Sequence, residues 1–151
     1  MPKIIAYTDG AASPNPGAGG IGIVLTSGKH RKEISMGCFK HTTNNRMELL
    51  AAIVSLESLL IPNSDVILYS DSKYVVDSVE KGWLFNWEKK GFKSRINADL
   101  WIRFLKVYRQ HNVELEWVKG HDGHPENEKC DELAVNARLS DNSLEDKGYY
   151  K

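Results

Sequence analysis

The sequence predicts an α/β domain whose mixed sheet is covered by helices on both faces. Two observations lead there. Three short apolar or β-branched segments near the start are separated by Gly-rich turns, the pattern of an antiparallel meander. After them, helical and strand periods alternate, which requires crossover connections and parallel pairing.

The elements follow in order. Residues 3–8 (KIIAYT) form a buried strand ending at Asp9. Residues 10–20 are rich in Gly, Pro, Ser and Asn and predict a turn or loop. Residues 21–27 (IGIVLTS) form a second strand. Residues 32–38 place Ile34, Met36 and Cys38 on one side, the period of a third strand. A long helix runs over 44–60 and stops at Pro62. Residues 65–70 (DVILYS) are continuously apolar in the middle, as in a strand buried on both faces. A short helix follows over 72–80, then an aromatic and basic patch over 83–95. Asn97 caps a further helix, with Leu100, Trp101, Phe104, Leu105 and Tyr108 along one side. Residues 113–118 (VELEWV) alternate as a strand, and 126–139 form the last helix. Residues 140–151 are polar and predict a loosely ordered tail. The order is βββαβααβα in a single domain over 1–151.

Composition bounds the function classes. The chain has 151 residues, 41% hydrophobic and 26% charged, and zero formal net charge. That balance excludes a wholly disordered chain. The longest apolar run, residues 49–54, is six residues, far short of the ~20 that a membrane span needs. No secretory signal is visible, and two cysteines fit a reducing cytosol, so a cytoplasmic location is expected. Zero net charge neither predicts nor excludes a nucleic-acid partner, because charge distribution decides.

Four acids draw attention. Asp9 and Asp71 each follow a buried strand, and ligands of open α/β sheets bind beyond the carboxyl ends of strands. The competing reading makes them turn or cap residues. Glu48 falls in the first turn of the long helix, where Asn45-x-x-Glu48 also fits a capping box. Asp131 reads equally as a solvated helix-face acid. Four converging carboxylates would repel one another unless cations were present. Such hard oxygen donors suit Mg²⁺ or Mn²⁺. Two ions about 3.5–4 Å apart can activate water and stabilise the leaving oxygen of a phosphodiester. Spacing alone does not bring the four together.

Other motifs weigh less. Residues 17–22 (GAGGIG) match G-x-G-x-x-G, but a strand rather than a helix follows, which argues against dinucleotide binding. His121, His124 and Cys130 lack a fourth soft ligand at zinc-like spacing. His121, in a Gly-flanked loop, suits proton transfer. Residues 88–95 carry a net charge of +3 from Lys89, Lys90, Lys93 and Arg95 against Glu88. Interleaved with Trp83, Trp87 and Phe92, they suit a nucleic-acid backbone. Core packing of Trp83 and Trp87 at i, i+4 is the equal alternative.

TDG at 8–10, TTNNRMEL at 42–49, YSDSKYV at 69–75 and WVKGHDGHPENEKCDELA at 117–134 together resemble bacterial type 1 ribonuclease H. The resemblance runs in order over nearly the whole chain. It implies the ribonuclease H-like fold with a five-stranded mixed sheet. It also implies cleavage of the RNA strand of RNA/DNA hybrids to 5′-phosphate and 3′-hydroxyl ends, by two-metal-ion catalysis with Mg²⁺. By the same resemblance, Asp9, Glu48, Asp71 and Asp131 match the metal-binding carboxylates, and His121 the proton-transfer or product-release histidine. Asn15, Thr43, Asn44 and Asn45 match contacts to sugar, base edges and phosphate. Trp83 with Lys89, Lys90 and Lys93 matches a substrate-gripping protrusion, shorter and less lysine-rich than in many members. His41, Lys73 and Phe92 stand where Arg, Gln and Trp are common, and a monomer is implied. Two other classes compete: a catalytically silent hybrid-binding module and a four-acid 3′–5′ exonuclease. Intact acids at all four matched positions speak against the first, and the strings around them against the second.

Overall fold

The computed structural model describes residues 3–120 and 123–149. Five strands form one sheet: β1 (Ile4–Ser13), β2 (Gly17–Ser27), β3 (His30–Thr42), β4 (Asp65–Ser70) and β5 (Asn112–Trp117). The spatial order is β3-β2-β1-β4-β5. β1–β2 and β2–β3 pair antiparallel, whereas β1–β4 and β4–β5 pair parallel. Five helices accompany it: α1 (Asn44–Glu57), α2 (Lys73–Glu80), α3 (Trp83–Lys89), α4 (Ala98–Tyr108) and α5 (Pro125–Arg138). The mixed sheet matches the expectation. The order is βββαβαααβα, because the aromatic and basic patch contains a helix of its own.

The meander is longer than its apolar segments suggest. β1 does not end before Asp9 but continues to Ser13, and β2 begins at Gly17, so most of the expected 10–20 loop is strand. Pairing carries it: Asp9 faces Gly22 and Ser13 faces Ala18 across the hairpin. β-ladders are made by backbone groups, so a Gly-rich segment lacking strand propensity still pairs when its neighbour aligns it.

The two faces are packed differently. α1 buries residues on nearly all sides, including Met47, Leu49, Leu50, Ile53 and Leu56. It lies between the sheet and α4, whose Trp101 and Phe104 have no exposed surface. α5 covers β1, β2 and β3. It buries only small or polar residues, Asn127, Cys130, Ala134 and Ala137. The helix approaches closely because Gly20 and Gly22 lack side chains. A Cβ on either would collide with α5 backbone around Cys130 and Ala134.

The expected loose tail differs most. Through Tyr149 it is tied down. Leu144 donates its N–H to Cys38 O at 2.8 Å and accepts from Lys40 N–H at 3.0 Å, making a bridge to β3. Asp146 then meets the guanidinium of Arg46, which is only 2% exposed, at 2.7 Å. A buried cation demands paired anions, and the polar tail supplies one.

Candidate active site

The sheet puts two acids side by side. β1 and β4 are paired up to Thr8–Ser70, and the next residue on each chain is Asp9 or Asp71. β4 stops there, while β1 continues along β2 alone. Asp9 therefore sits within a strand yet beyond the end of its parallel neighbour.

α1 brings the third. Its N-cap is Thr43, whose hydroxyl accepts from Arg46 N–H at 3.2 Å. The expected Asn45–Glu48 capping box is not what caps it, and Glu48 lies beyond the first turn. Its Oε1 instead accepts from Gly10 N–H at 3.0 Å, and Asp9 Oδ1 accepts from the same N–H at 2.9 Å. Gly10 permits this approach, because a Cβ there would strike the backbone of Met47 and Glu48. One carboxylate oxygen from each of Asp9, Glu48 and Asp71 lies within 4.8 Å of the other two. Asp131 stands outside that trio. It reaches Asp9 from α5 with its charge and a hydrogen bond.

Crowding shifts the protonation of the site. Asp9 is pushed up to about 8, first by burial, then by the charges of Asp71 and Asp131. Glu48 is raised well above the usual carboxylate range by burial, then by Asp9 and Asp71. Asp71 Oδ1 is buried without a hydrogen-bond partner among the described residues. Hard oxygen donors, mutual repulsion and an orphaned acceptor are what a divalent cation would relieve. The residues present fit such an ion, with Asp9, Glu48 and Asp71 as the group able to hold it.

Among the described residues no cluster of His and Cys forms a metal site. Cys130 is buried, and its thiol donates to Tyr7 O at 3.1 Å. Burial raises its pKa, which removes it as a thiolate ligand. His121 lies outside the described residues. GAGGIG runs straight into β2, as a strand.

Around the acids, Asn44 Oδ1 accepts from Ala12 N–H at 2.7 Å, and Asn15 Oδ1 accepts from Asn44 N–H at 3.0 Å. These bonds tie the β1–β2 turn to the start of α1. Asn45 remains exposed. The aromatic and basic patch divides. Trp87 packs edge-on against Trp101, with their centroids 5.8 Å apart, and carries the Arg95 guanidinium 4.4 Å above its ring. Trp83 is 44% exposed, with Lys81 Nζ 5.6 Å from its ring. Lys89, Lys90 and Lys93 are exposed, while Glu88 is engaged by Arg109. Thus Trp87 belongs to the core edge and Trp83 to the surface. Asn97 has a left-handed backbone and makes no side-chain cap. It accepts from Arg46 and donates to the Tyr74 hydroxyl.

Sequence reasoning missed Gly10 and Trp117. Gly10 had a visible signal, a glycine directly after a candidate acid. Trp117, whose indole N–H donates to Asp71 O at 3.1 Å, reads in sequence only as a strand aromatic.

A carboxylate cluster beyond the parallel strands of a mixed sheet defines a class fit for metal-dependent phosphodiester chemistry. The family model for RNase H matches residues 1–138. A ribonuclease H of Desulforamulus reducens is 53% identical over 147 residues, covering 94% of this chain and 91% of that one. One of Rippkaea orientalis is 51% identical over 152 residues, covering 97% and 92%. Among solved structures, LC9-RNase H1 is 28% identical with a TM-score of 0.80, covering 91% of this chain and 72% of that one. LC11-RNase H1, solved in complex with an RNA/DNA hybrid, is 26% identical with a TM-score of 0.62, covering 89% and 95%. The chain belongs to the ribonuclease H family.

Proposed function

We propose that the chain hydrolyses the RNA strand of RNA/DNA hybrids internally, leaving 5′-phosphate and 3′-hydroxyl ends. The observation that carries this is the convergence of Asp9, Glu48 and Asp71 oxygens within 4.8 Å. Family membership and the hybrid bound by LC11-RNase H1 support the substrate class. Mg²⁺ is the proposed cofactor, two ions with substrate, and Mn²⁺ its substitute, from the hard donor set. The ions supply Lewis acidity and neutralise phosphate charge.

The chain's own residues divide the remaining work. Asp9, within β1, and Asp71, just past the end of β4, would hold the cations, and Glu48 would face both from α1. Asp131 completes the set beside Asp9, and His121 moves a proton or speeds product departure. Gly10 N–H, shared by Asp9 and Glu48, keeps their oxygens turned inward. Asn15, Thr43, Asn44 and Asn45 line the approach to the RNA. Asn side chains both donate and accept, which suits a 2′-hydroxyl. Trp83 and the exposed Lys89, Lys90 and Lys93 grip the DNA strand. Among the described residues no helix is long and apolar enough to cross a membrane, and the reading adds a cytoplasmic monomer.

The test is an end-labelled cleavage assay on one sequence as RNA/DNA hybrid, double-stranded RNA and double-stranded DNA, with Mg²⁺ or EDTA. Internal cleavage of the hybrid's RNA alone, lost in EDTA, is expected. Hybrid binding without cleavage in Mg²⁺ would replace the reading with a silent binding module. A closed circle with an internal RNA stretch separates endonuclease from exonuclease.

A further inference from the structure

Asp71 is anchored through its backbone. Trp117 Nε1–H donates to Asp71 O at 3.1 Å, and Val118 N–H donates to Ser70 O at 2.9 Å. Ser70 Oγ also accepts from Ser72 N–H at 3.0 Å. These bonds fix where the Asp71 side chain leaves the chain. They do not fix how its carboxylate is turned, and Oδ1 has no partner of its own among the described residues.

Glu48 meets the Asp71 side chain with a hydrogen bond, and the connection after β5 adds a second constraint. A Cβ built on Gly120 would stand 2.8 Å from Asp71 Oδ2 and 3.7 Å from its Cβ and Cγ, the three nearest atoms among the described residues once its own chain neighbours are set aside. Contacts under 3.0 Å essentially never occur for real Cβ atoms. Backbone conformation does not explain the glycine. Gly123, in the same connection, has φ +76° with nothing within 4 Å of its Cβ position among the described residues beyond its chain neighbours, whereas Gly120 is not among the positive-φ glycines. Among the described residues beyond its chain neighbours, only Asp71 Oδ2 comes closer to a Cβ at position 120 than ordinary van der Waals contact.

We infer that Gly120 is a positioning residue for the reaction: its missing side chain reserves the space in which Asp71 Oδ2 stands, and so sets how that carboxylate faces the cation. This rests on the reading of Asp71 as a metal ligand. An alanine would move the rotatable end of one side chain, which costs the fold little. It would cost cation geometry much more, because Mg²⁺ demands near-ideal octahedral coordination at ~2.0–2.1 Å.

The experiment compares the parent with Gly120→Ala, Asp71→Asn and the double variant. Melting in EDTA reports the fold, Mg²⁺ titration calorimetry reports the site, and hybrid cleavage reports kcat and KM. Gly120→Ala should melt with the parent in EDTA and bind Mg²⁺ about tenfold more weakly, as outer-shell changes do. It should lose kcat with little change in hybrid KM. In the Asp71→Asn background it should add nothing, because its effect runs through that carboxylate. Parent-like Mg²⁺ binding by Gly120→Ala, equal weakening in both backgrounds, or earlier melting in EDTA would each overturn the inference while leaving the metal site standing. If Asp71→Asn alone binds Mg²⁺ like the parent, the metal-site reading itself fails and takes the inference with it.

Discussion

Arg46 and Glu48 stand two positions apart on α1 and sit in opposite electrostatic surroundings. Arg46 is 2% exposed and fully partnered. Asp99 accepts from it at 2.6 and 2.9 Å, Asp146 at 2.7 and 2.9 Å, and Asn97 at 3.2 Å. Glu48 faces two other acids and shares a single backbone N–H with one of them. The first cluster has its opposite charge within the chain, in the tail and at the start of α4. Among the described residues the second has no cation to offset it. The contrast teaches how to read buried charge: a satisfied network holds a fold together, while an unsatisfied like-charge cluster awaits a ligand.

The largest expected effect breaks the second cluster. Asp9→Asn should lower cleavage by at least about 1,000-fold, ~4 kcal/mol in barrier, as loss of a central catalytic group does. Its melting temperature in EDTA should equal or exceed the parent's, because one of three repelling carboxylates is gone. Full activity in this variant would remove Asp9 from the site. The first cluster should respond in the opposite sense. Arg46→Ala leaves the Asp146 carboxylate, 8% exposed, with the Thr42 hydroxyl but without its counter-charge, and should destabilise the fold by ~3 kcal/mol. Denaturant unfolding measures it. A loss well under 1 kcal/mol would mean that the tail is not held by this pair.

The pH dependence sharpens the comparison. Asp9 has a folded pKa raised from 3.8 to about 8, so the folded state holds its proton more tightly than the unfolded one. That stabilisation is complete below the unfolded pKa and is lost as pH rises through about 4 to 8. For one proton the slope approaches ~1.4 kcal/mol per pH unit within that window. Without metal, the protein should therefore lose stability between acidic and mildly alkaline pH. Saturating Mg²⁺ should flatten the curve, and Mg²⁺ affinity should climb over the same range as protons are displaced. Melting curves across pH in EDTA and in Mg²⁺ check both. A flat curve in EDTA would mean that the acids do not crowd one another.

Legibility follows the same division. The strand at 65–70 and the helix at 44–60 were readable from nearly unbroken apolar sequence, and the strand at 113–118 from its alternation, because apolar patterning reports burial directly. β1 beyond Thr8 was not, since backbone pairing with β2 creates it and no side-chain pattern records that. The tail was unreadable for a related reason: its polar sequence looks loose until the buried guanidinium it answers is known. Asp9 and Asp71 were visible as acids directly after apolar strand segments, but Glu48 read equally as a capping-box acid and Asp131 as a solvated helix-face acid. Only three-dimensional closeness distinguishes them, and only the family resemblance, not spacing, pointed to it beforehand.

The smallest effect concerns the exposed cations. Lys89, Lys90, Lys93 and Arg95 surround one acid, and that acid, Glu88, is already held by Arg109 at 2.7 Å. The three lysines are exposed and make no ion pair among the described residues, whereas Arg95 lies on the Trp87 ring. Neutralising the lysines should therefore weaken hybrid binding and flatten its salt dependence. The log–log slope should fall by about 0.9 for each phosphate that no longer meets a cation, taking the duplex-DNA value as guide. Neutralising Arg95 alone should change the slope less and loosen the packing around Trp87. Binding isotherms across a series of salt concentrations separate the two. An Arg95 variant that changes the slope as much as a lysine variant would make the stacked guanidinium a partner of phosphate. An unchanged slope for the triple lysine variant would remove this segment from the hybrid's path and leave the exposed Trp83 as the side chain to test next.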